Sequence, residues 1–201
     1  MGKTLNGFEK RTSEKKNQVL TAAFHLMNTE NGIENLKIDH LVEESSVGKT
    51  TIFKYFGNKE RIVHEVFKRF INKMISDAEI ITEQNQPFEE TLLSLSYNKM
   101  DYLEQIHHQF YLDLMAYLTT AKGNGLSVLM QLYTKQSRDM MLDLFHRGRK
   151  EGKVDLKYSD EFLLLYFQAT VEGISNPKIY ENLAPYTKQW VELLIKGLAP
   201  K

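Results

Sequence analysis

The sequence predicts an all-α protein, a small three-helix N-terminal unit followed by a larger helical body, and three observations predict it. Apolar residues recur at spacings of three and four almost throughout, and no segment alternates at the period of two that a half-buried strand needs. Helix breakers fall between these periodic stretches, at Asn31-Gly32, Pro87, Gly152 and Asn176-Pro177. Charge is segregated along a chain that is neutral overall: residues 1–73 hold 13 basic against 9 acidic side chains, and residues 74–201 hold 13 against 17.

The first helix spans about Ser13 to Asn31, where Val19, Leu20, Ala23, Leu26 and Met27 form one stripe and Asn31-Gly32 supplies a left-handed end. A short helix, about Ile38 to Glu44, buries Ile38, Leu41 and Val42. The turn Ser45-Ser46-Val47-Gly48 leads into a second short helix, about Lys49 to Tyr55. Asn58 is a good N-cap for a fourth, with Glu60 in its first turn, running to about Asp77. Beyond it, Pro87 with Glu89 and Glu90 suits the first turn of a helix to about Ile106. Further helices are predicted from His107 to Thr120, closed by Lys122-Gly123-Asn124-Gly125, and from Leu126 to about Lys150. Ser159 caps a helix to about Ser175, and the last runs from about Pro185 to Leu198.

A chain of 201 residues can bury a substantial core unaided, and the absence of cysteine removes disulfides and thiolate metal sites. A polar start and no apolar run near the roughly 18 residues of a membrane span predict a soluble, uncleaved, cytoplasmic protein. Two short helices joined by a tight turn, with a longer helix before them, form a helix-turn-helix unit whose second short helix enters the DNA major groove. At about 100° per residue, Lys49, Thr50, Phe53 and Lys54 share about 140° of arc, opposite Ile52, Tyr55 and Phe56. The first face offers two cations, a hydroxyl and an aromatic ring with no acid, on a basic N-terminal part, which is the footprint of a double-stranded DNA partner.

Val19-Leu20-Thr21-Ala22-Ala23-Phe24, Leu41-Val42-Glu43 and the run from Val47 through Tyr55-Phe56-Gly57-Asn58-Lys59-Glu60 resemble the N-terminal domain of TetR-family (TetR/AcrR-type) transcriptional regulators, continuously over about residues 15–65. The resemblance implies that Thr51, Tyr55 and Lys59 hold phosphates, while Lys49, Thr50, Phe53 and Lys54 face bases or nearby backbone. The pattern departs from the family's at Ser46, where a Gly usually makes the turn, at Gly48, where a Ser or Ala usually opens the recognition helix, at Thr50, where a small residue usually sits, and at Lys37, where a Ser or Thr usually caps. The domains follow as an N-terminal arm (1–12), a helix-turn-helix DNA-binding domain (13–58) and a helical effector-binding and dimerisation domain (59–201).

Other constellations are weaker. Gly48-Lys49-Thr50 lacks the glycine five residues earlier, where Glu43 stands, and the strand that a phosphate-binding loop requires. His107 and His108 point about 100° apart on a helix and cannot easily share an ion, with Asp113 or otherwise. No nucleophile elbow or carboxylate pair is found, so neither an enzyme nor a metal or cofactor is expected. Met and aromatic residues crowd positions 100–145 and predict an adaptable apolar effector pocket, with Phe110, Tyr111, Met115, Met130, Tyr133 and Phe167 as candidate walls. The helix after Ser159 is apolar nearly all round, and a second subunit is its natural cover. Phe162, Leu165, Tyr166, Trp190 and Leu194 are the candidate homodimer seam. The expectation is a repressor released from a palindromic operator by a small hydrophobic effector; the alternatives are a DNA-binding activator or architectural protein without effector, and a helical lipid or hydrophobe carrier.

Overall fold

Asn6 opens the first helix by capping it on both sides. Its Oδ1 accepts the N–H groups of Phe8 (3.1 Å) and Glu9 (2.9 Å), while the Glu9 carboxylate accepts the Asn6 N–H at 2.9 Å. In this computed structural model, which describes residues 6–119, 128–174, 179 and 182–201, α1 is therefore Gly7–Met27. It starts ahead of the predicted Ser13, inside the stretch read as an arm, and stops before Asn31. Gly32, at φ +54°, instead opens a short 3-10 helix, Gly32–Asn35.

The remaining elements follow the sequence pattern, except that the fourth helix continues past the predicted Asp77 to Glu83. They are α2 (Ile38–Ser45), α3 (Lys49–Phe56), α4 (Lys59–Glu83), α5 (Phe88–Glu104), α6 (His108–Thr119), α7 (Val128–Lys150), α8 (Asp160–Ile174), a 3-10 turn Ala184–Tyr186 and α9 (Thr187–Leu198). Pro87 stands at the N-cap of α5 rather than inside it. Ser159 Oγ accepts the Phe162 N–H at 3.2 Å at the head of α8. Among the described residues there is no strand, and no helix is long and apolar enough to cross a membrane. The predicted turn Lys122-Gly123-Asn124-Gly125, the helix start at Leu126, the break at Asn176-Pro177 and the side chain of Met130 lie outside the described residues.

Packing divides the helices into two units. The first contains α1, α2, α3, α4 as far as Ile71, and α6; the second contains α4 from Asn72, α5, α7, α8 and α9. This grouping places α6 with the N-terminal helices. In the first unit Val19, Ala23, Leu36, Leu41, Ile52, Ile62 and Phe67 are fully buried. Phe110 of α6 stands at their centre, its ring 5.3 Å from those of Phe24 and Phe67 and 5.4 Å from that of Phe70. These edge-to-face pairs add to the roughly 1.5–3 kcal/mol that burying one such side chain contributes. In the second unit the core is Phe88, Leu92, Met141, Leu144, Phe145, Val154, Leu163, Val191, Leu194 and Leu198.

Candidate functional site

The turn between α2 and α3 is built from three residues with different tasks. Ser45, buried, donates to the Leu41 carbonyl at 2.5 Å and accepts the Val47 N–H at 3.3 Å. Ser46 takes the left-handed conformation (φ 53°) at the C-cap of α2, doing with a side chain what Gly does without strain. Val47, 3% exposed, plugs the turn into the core. Gly48 then opens α3 in extended conformation with no side-chain cap, its carbonyl accepting the N–H groups of Thr51 (2.8 Å) and Ile52 (3.1 Å).

Burial fixes which side of α3 faces out. Ile52 is fully buried and Phe56 nearly so, and this anchors the helix. Lys49, Thr50, Phe53 and Lys54 are exposed together, Phe53 with 37% of its surface open, while Thr51 and Tyr55 are half-buried at the flanks. At the far end Gly57 (φ 81°) closes α3, and Asn58 Oδ1 accepts the Arg61 N–H at 2.8 Å, capping α4. Lys59 is the first residue of α4, half-buried beside that turn. The Lys49 ammonium meets the Asp39 carboxylate of α2 at 3.1 Å, and the Lys16 ammonium lies 5.7 Å over the Tyr55 ring. The outward face is thus cationic and aromatic, with one acid, Asp39, at its edge. That arrangement can meet phosphates and base edges together.

The second unit holds a cavity of about 90 Å³, among whose lining residues are Lys99, Met100, Phe167 and Trp190. Of the six residues predicted as effector walls, Phe167 lines it. Phe110, Tyr111 and Met115 belong to the first unit, Phe110 as a fully buried core ring; Tyr133 is half-buried on α7; and Met130 lies outside the described side chains. Of the five predicted seam residues, Phe162 (49%), Leu165 (59%) and Tyr166 (41%) are exposed on α8, whereas Trp190 and Leu194 turn inward and line the cavity. Sequence reasoning missed Lys99. Its signal was the register of α5, where Leu92, Leu95, Lys99 and Leu103 fall at helical spacing and a lysine interrupts an otherwise apolar stripe.

Residues 19–66 match the family model of bacterial regulatory proteins, tetR family. Over 69 residues the chain is 29% identical to the nucleoid occlusion factor SlmA of Haemophilus influenzae; the match spans 34% of this chain and about a third (32%) of that protein. Solved structures extend the likeness of fold to nearly the whole chain. FadR of Bacillus subtilis, a transcriptional regulator crystallised with stearoyl-CoA, superimposes with a TM-score of 0.70 at 18% identity, covering 90% of this chain and 98% of that one. The ketosteroid transcriptional regulator KstR2 of Mycobacterium tuberculosis gives 0.61 at 16% identity, covering 98% of each.

Proposed function

Through its N-terminal helix-turn-helix domain this chain belongs to the tetR family of bacterial regulatory proteins, DNA-binding regulators of transcription, and from that premise we propose that it is a homodimeric repressor released from a palindromic operator by a small hydrophobic effector. The observation that carries the reading is the outward face of α3: Lys49, Thr50, Phe53 and Lys54 are exposed together on a helix anchored by buried Ile52 and Phe56. Thr51, Tyr55 and Lys59 flank this face and hold the phosphate backbone, while the face itself reads base edges.

Dimerisation is supported by the open apolar row Phe162, Leu165 and Tyr166 on α8, together with Leu193, 66% exposed, on α9. Large apolar side chains left open in one subunit are the usual mark of a protein interface. Two α3 helices held by such a dimer reach half-sites about one DNA turn apart. The effector belongs in the cavity of the second unit, as the stearoyl-CoA complex of the similarly folded FadR suggests. It releases DNA by binding better to the state in which the half-sites are wrongly spaced.

Selection of duplexes from a random library with the purified protein tests the reading. The expected product is a palindrome whose binding weakens linearly in log affinity against log salt. Recovery of no sequence above background would overturn it.

A further inference from the structure

Helical register carries a cation of α1 to the flank of α3. At about 100° per residue, Lys16, Leu20, Ala23 and Met27 share about 60° of arc on α1, and Ala23 and Met27 are buried in the core of the first unit. Residues 13–18 are all exposed, so the core ends between Gln18 and Val19 while the face that it covers runs on to Lys16. There the Lys16 ammonium stands 5.7 Å over the Tyr55 ring. Within about 6 Å a ring attracts a cation through its quadrupole.

This kind of restraint leaves the charge whole. The Asp39 carboxylate, 3.1 Å from the Lys49 ammonium, sets a negative charge against that lysine, whereas a neutral ring steadies an ammonium and subtracts nothing from it. Lys16 forms no ion pair among the described residues. Of the two acids on the neighbouring turns of α1, Glu14 points about 160° away from it. Glu9 lies on the same side but is two turns further out, where its carboxylate accepts the Asn6 N–H at 2.9 Å.

We infer that Lys16 is a DNA contact supplied by α1, its ammonium and the Tyr55 hydroxyl together holding backbone phosphate at the wall of the groove that α3 enters. Tyr55 lies off the arc of Lys49, Thr50, Phe53 and Lys54, and Lys16 lies beside Tyr55. The ammonium therefore comes to the sugar-phosphate wall, where a compact charge is sufficient, and not to the base edges, where paired donors and acceptors are needed. A contact of this kind adds affinity and fixes register without adding sequence preference. It extends the footprint of each subunit from the helix-turn-helix onto α1. The assignment rests on the DNA-binding reading above and adds a residue to it.

The salt dependence of duplex binding tests it, on the full-length protein. A fluorescently labelled duplex of arbitrary mixed sequence suffices as the probe, because a phosphate contact is blind to sequence. Each such contact contributes about 0.9 to the slope of log affinity against log salt, so Lys16→Gln should lower the slope by about that amount per bound subunit. A deficit of about eightfold per lost contact should then open for each tenfold fall in salt. Lys16→Arg keeps the charge and can lie on the ring, and should restore the slope. Lys10→Gln removes the same charge from α1 about 120° round the helix, and should leave the slope as it is. Both lysines are exposed, so these variants are expected to fold. An unchanged slope in Lys16→Gln, or an equal fall in Lys10→Gln, overturns the assignment and leaves the DNA-binding reading standing. A slope that Lys16→Arg fails to restore overturns it too, since the loss then does not follow the charge. A wild type that binds no duplex at any salt concentration overturns both.

Discussion

The Asp113 carboxylate accepts the Ile33 N–H at 2.7 Å and stands where a side chain on Gly32 would have to go: a Cβ built there lies 2.0 Å from Asp113 Oδ2. The hydrogen bond ties α6 to the 3-10 helix after α1, and Gln109 holds the other carboxylate oxygen at 2.9 Å. Gly32→Ala combines a left-handed backbone (φ +54°) with a clash, whereas Gly152→Ala, at φ +69° with nothing within 4 Å, carries the strain alone. Urea denaturation should show a loss of about 1–2 kcal/mol for Gly152→Ala and a clearly larger one for Gly32→Ala. Asp113→Ala should cost about 1–3 kcal/mol by leaving the amide unpaired. Equal losses for the two glycine variants would show that the carboxylate moves aside freely.

The outward face of α3 and its flanks should separate by role. If Lys59, at the start of α4, meets a phosphate as proposed, Lys59→Ala should weaken all duplexes alike and lower the salt slope by about one for each phosphate no longer neutralised in a subunit. Lys54 and Phe53 lie on the exposed arc, and replacing either by Ala should cost about 1–3 kcal/mol at particular base pairs. Competition against single-base operator variants distinguishes the two patterns. The reverse assignment, with Lys59→Ala changing sequence preference, would mean that α3 is rotated about its axis in the groove.

The elements legible in the sequence are those with a dense apolar stripe or a strong breaker. α2, α3 and α8 start where Ile38, Lys49 and the Ser159 cap predict. The start of α1 is not legible in the same way, because its first turns from Gly7 are almost wholly exposed and carry no apolar pattern, leaving the Asn6 and Glu9 capping pair as the only signal. Periodicity also says that a face is buried without saying against what. Trp190 and Leu194 have the pattern of seam residues yet line a cavity, and Phe110 has the pattern of a cavity wall yet fills the aromatic core of the first unit. Lys99 escapes notice because an apolar pocket is sought among apolar residues, and a lone lysine in a helix reads as solvated surface.

Asp39 pairs with Lys49 at the edge of the outward face of α3. Its ion pair with Lys49 is exposed on both sides, with 58% of the lysine and 84% of the aspartate side chain open, so breaking it costs little stability. Asp39→Asn should free the ammonium and remove a negative charge from the phosphate side. Non-specific duplex affinity should rise about two- to fivefold at low salt and return to the wild-type value near 1 M salt, where the screening length is about 3 Å. Fluorescence anisotropy across a salt series measures it, and an unchanged affinity at low salt would place Asp39 away from the bound backbone.

Leu165 is 59% exposed on α8, which also carries the open, mutually stacked rings of Phe162 and Tyr166, and is left uncovered by the described residues of the second unit. If a second subunit covers it, Leu165→Asp buries two unpaired carboxylates in a symmetric seam, each costing several kcal/mol. Sedimentation should give a dimer for the wild type at micromolar concentration and a monomer for the variant, with its helix content intact. A wild-type monomer would remove the basis for a palindromic operator.

Lys99 makes the last prediction, since burial lowers its pKa from the ordinary lysine value to about 8. Below pH 8 the ammonium is charged in both folded and unfolded chains, and the folded state carries the whole desolvation cost. Between pH 8 and about 10.4 the unfolded chain holds the proton more tightly, so this group makes stability rise with pH, and above that range the cost is gone. No other described residue lining the cavity titrates in this window. Lys99→Met removes the charge and keeps the stem, so without ligand it should be about 1–3 kcal/mol more stable than the wild type at pH 7. That gain should shrink as pH climbs toward 10, which urea denaturation of the two proteins side by side can follow. A gain that does not change with pH would trace to better packing of the methionine, and a loss would mean that the ammonium holds the unit together. A gain that fades on the expected course identifies a position where stability is given up for a charge in an apolar cavity.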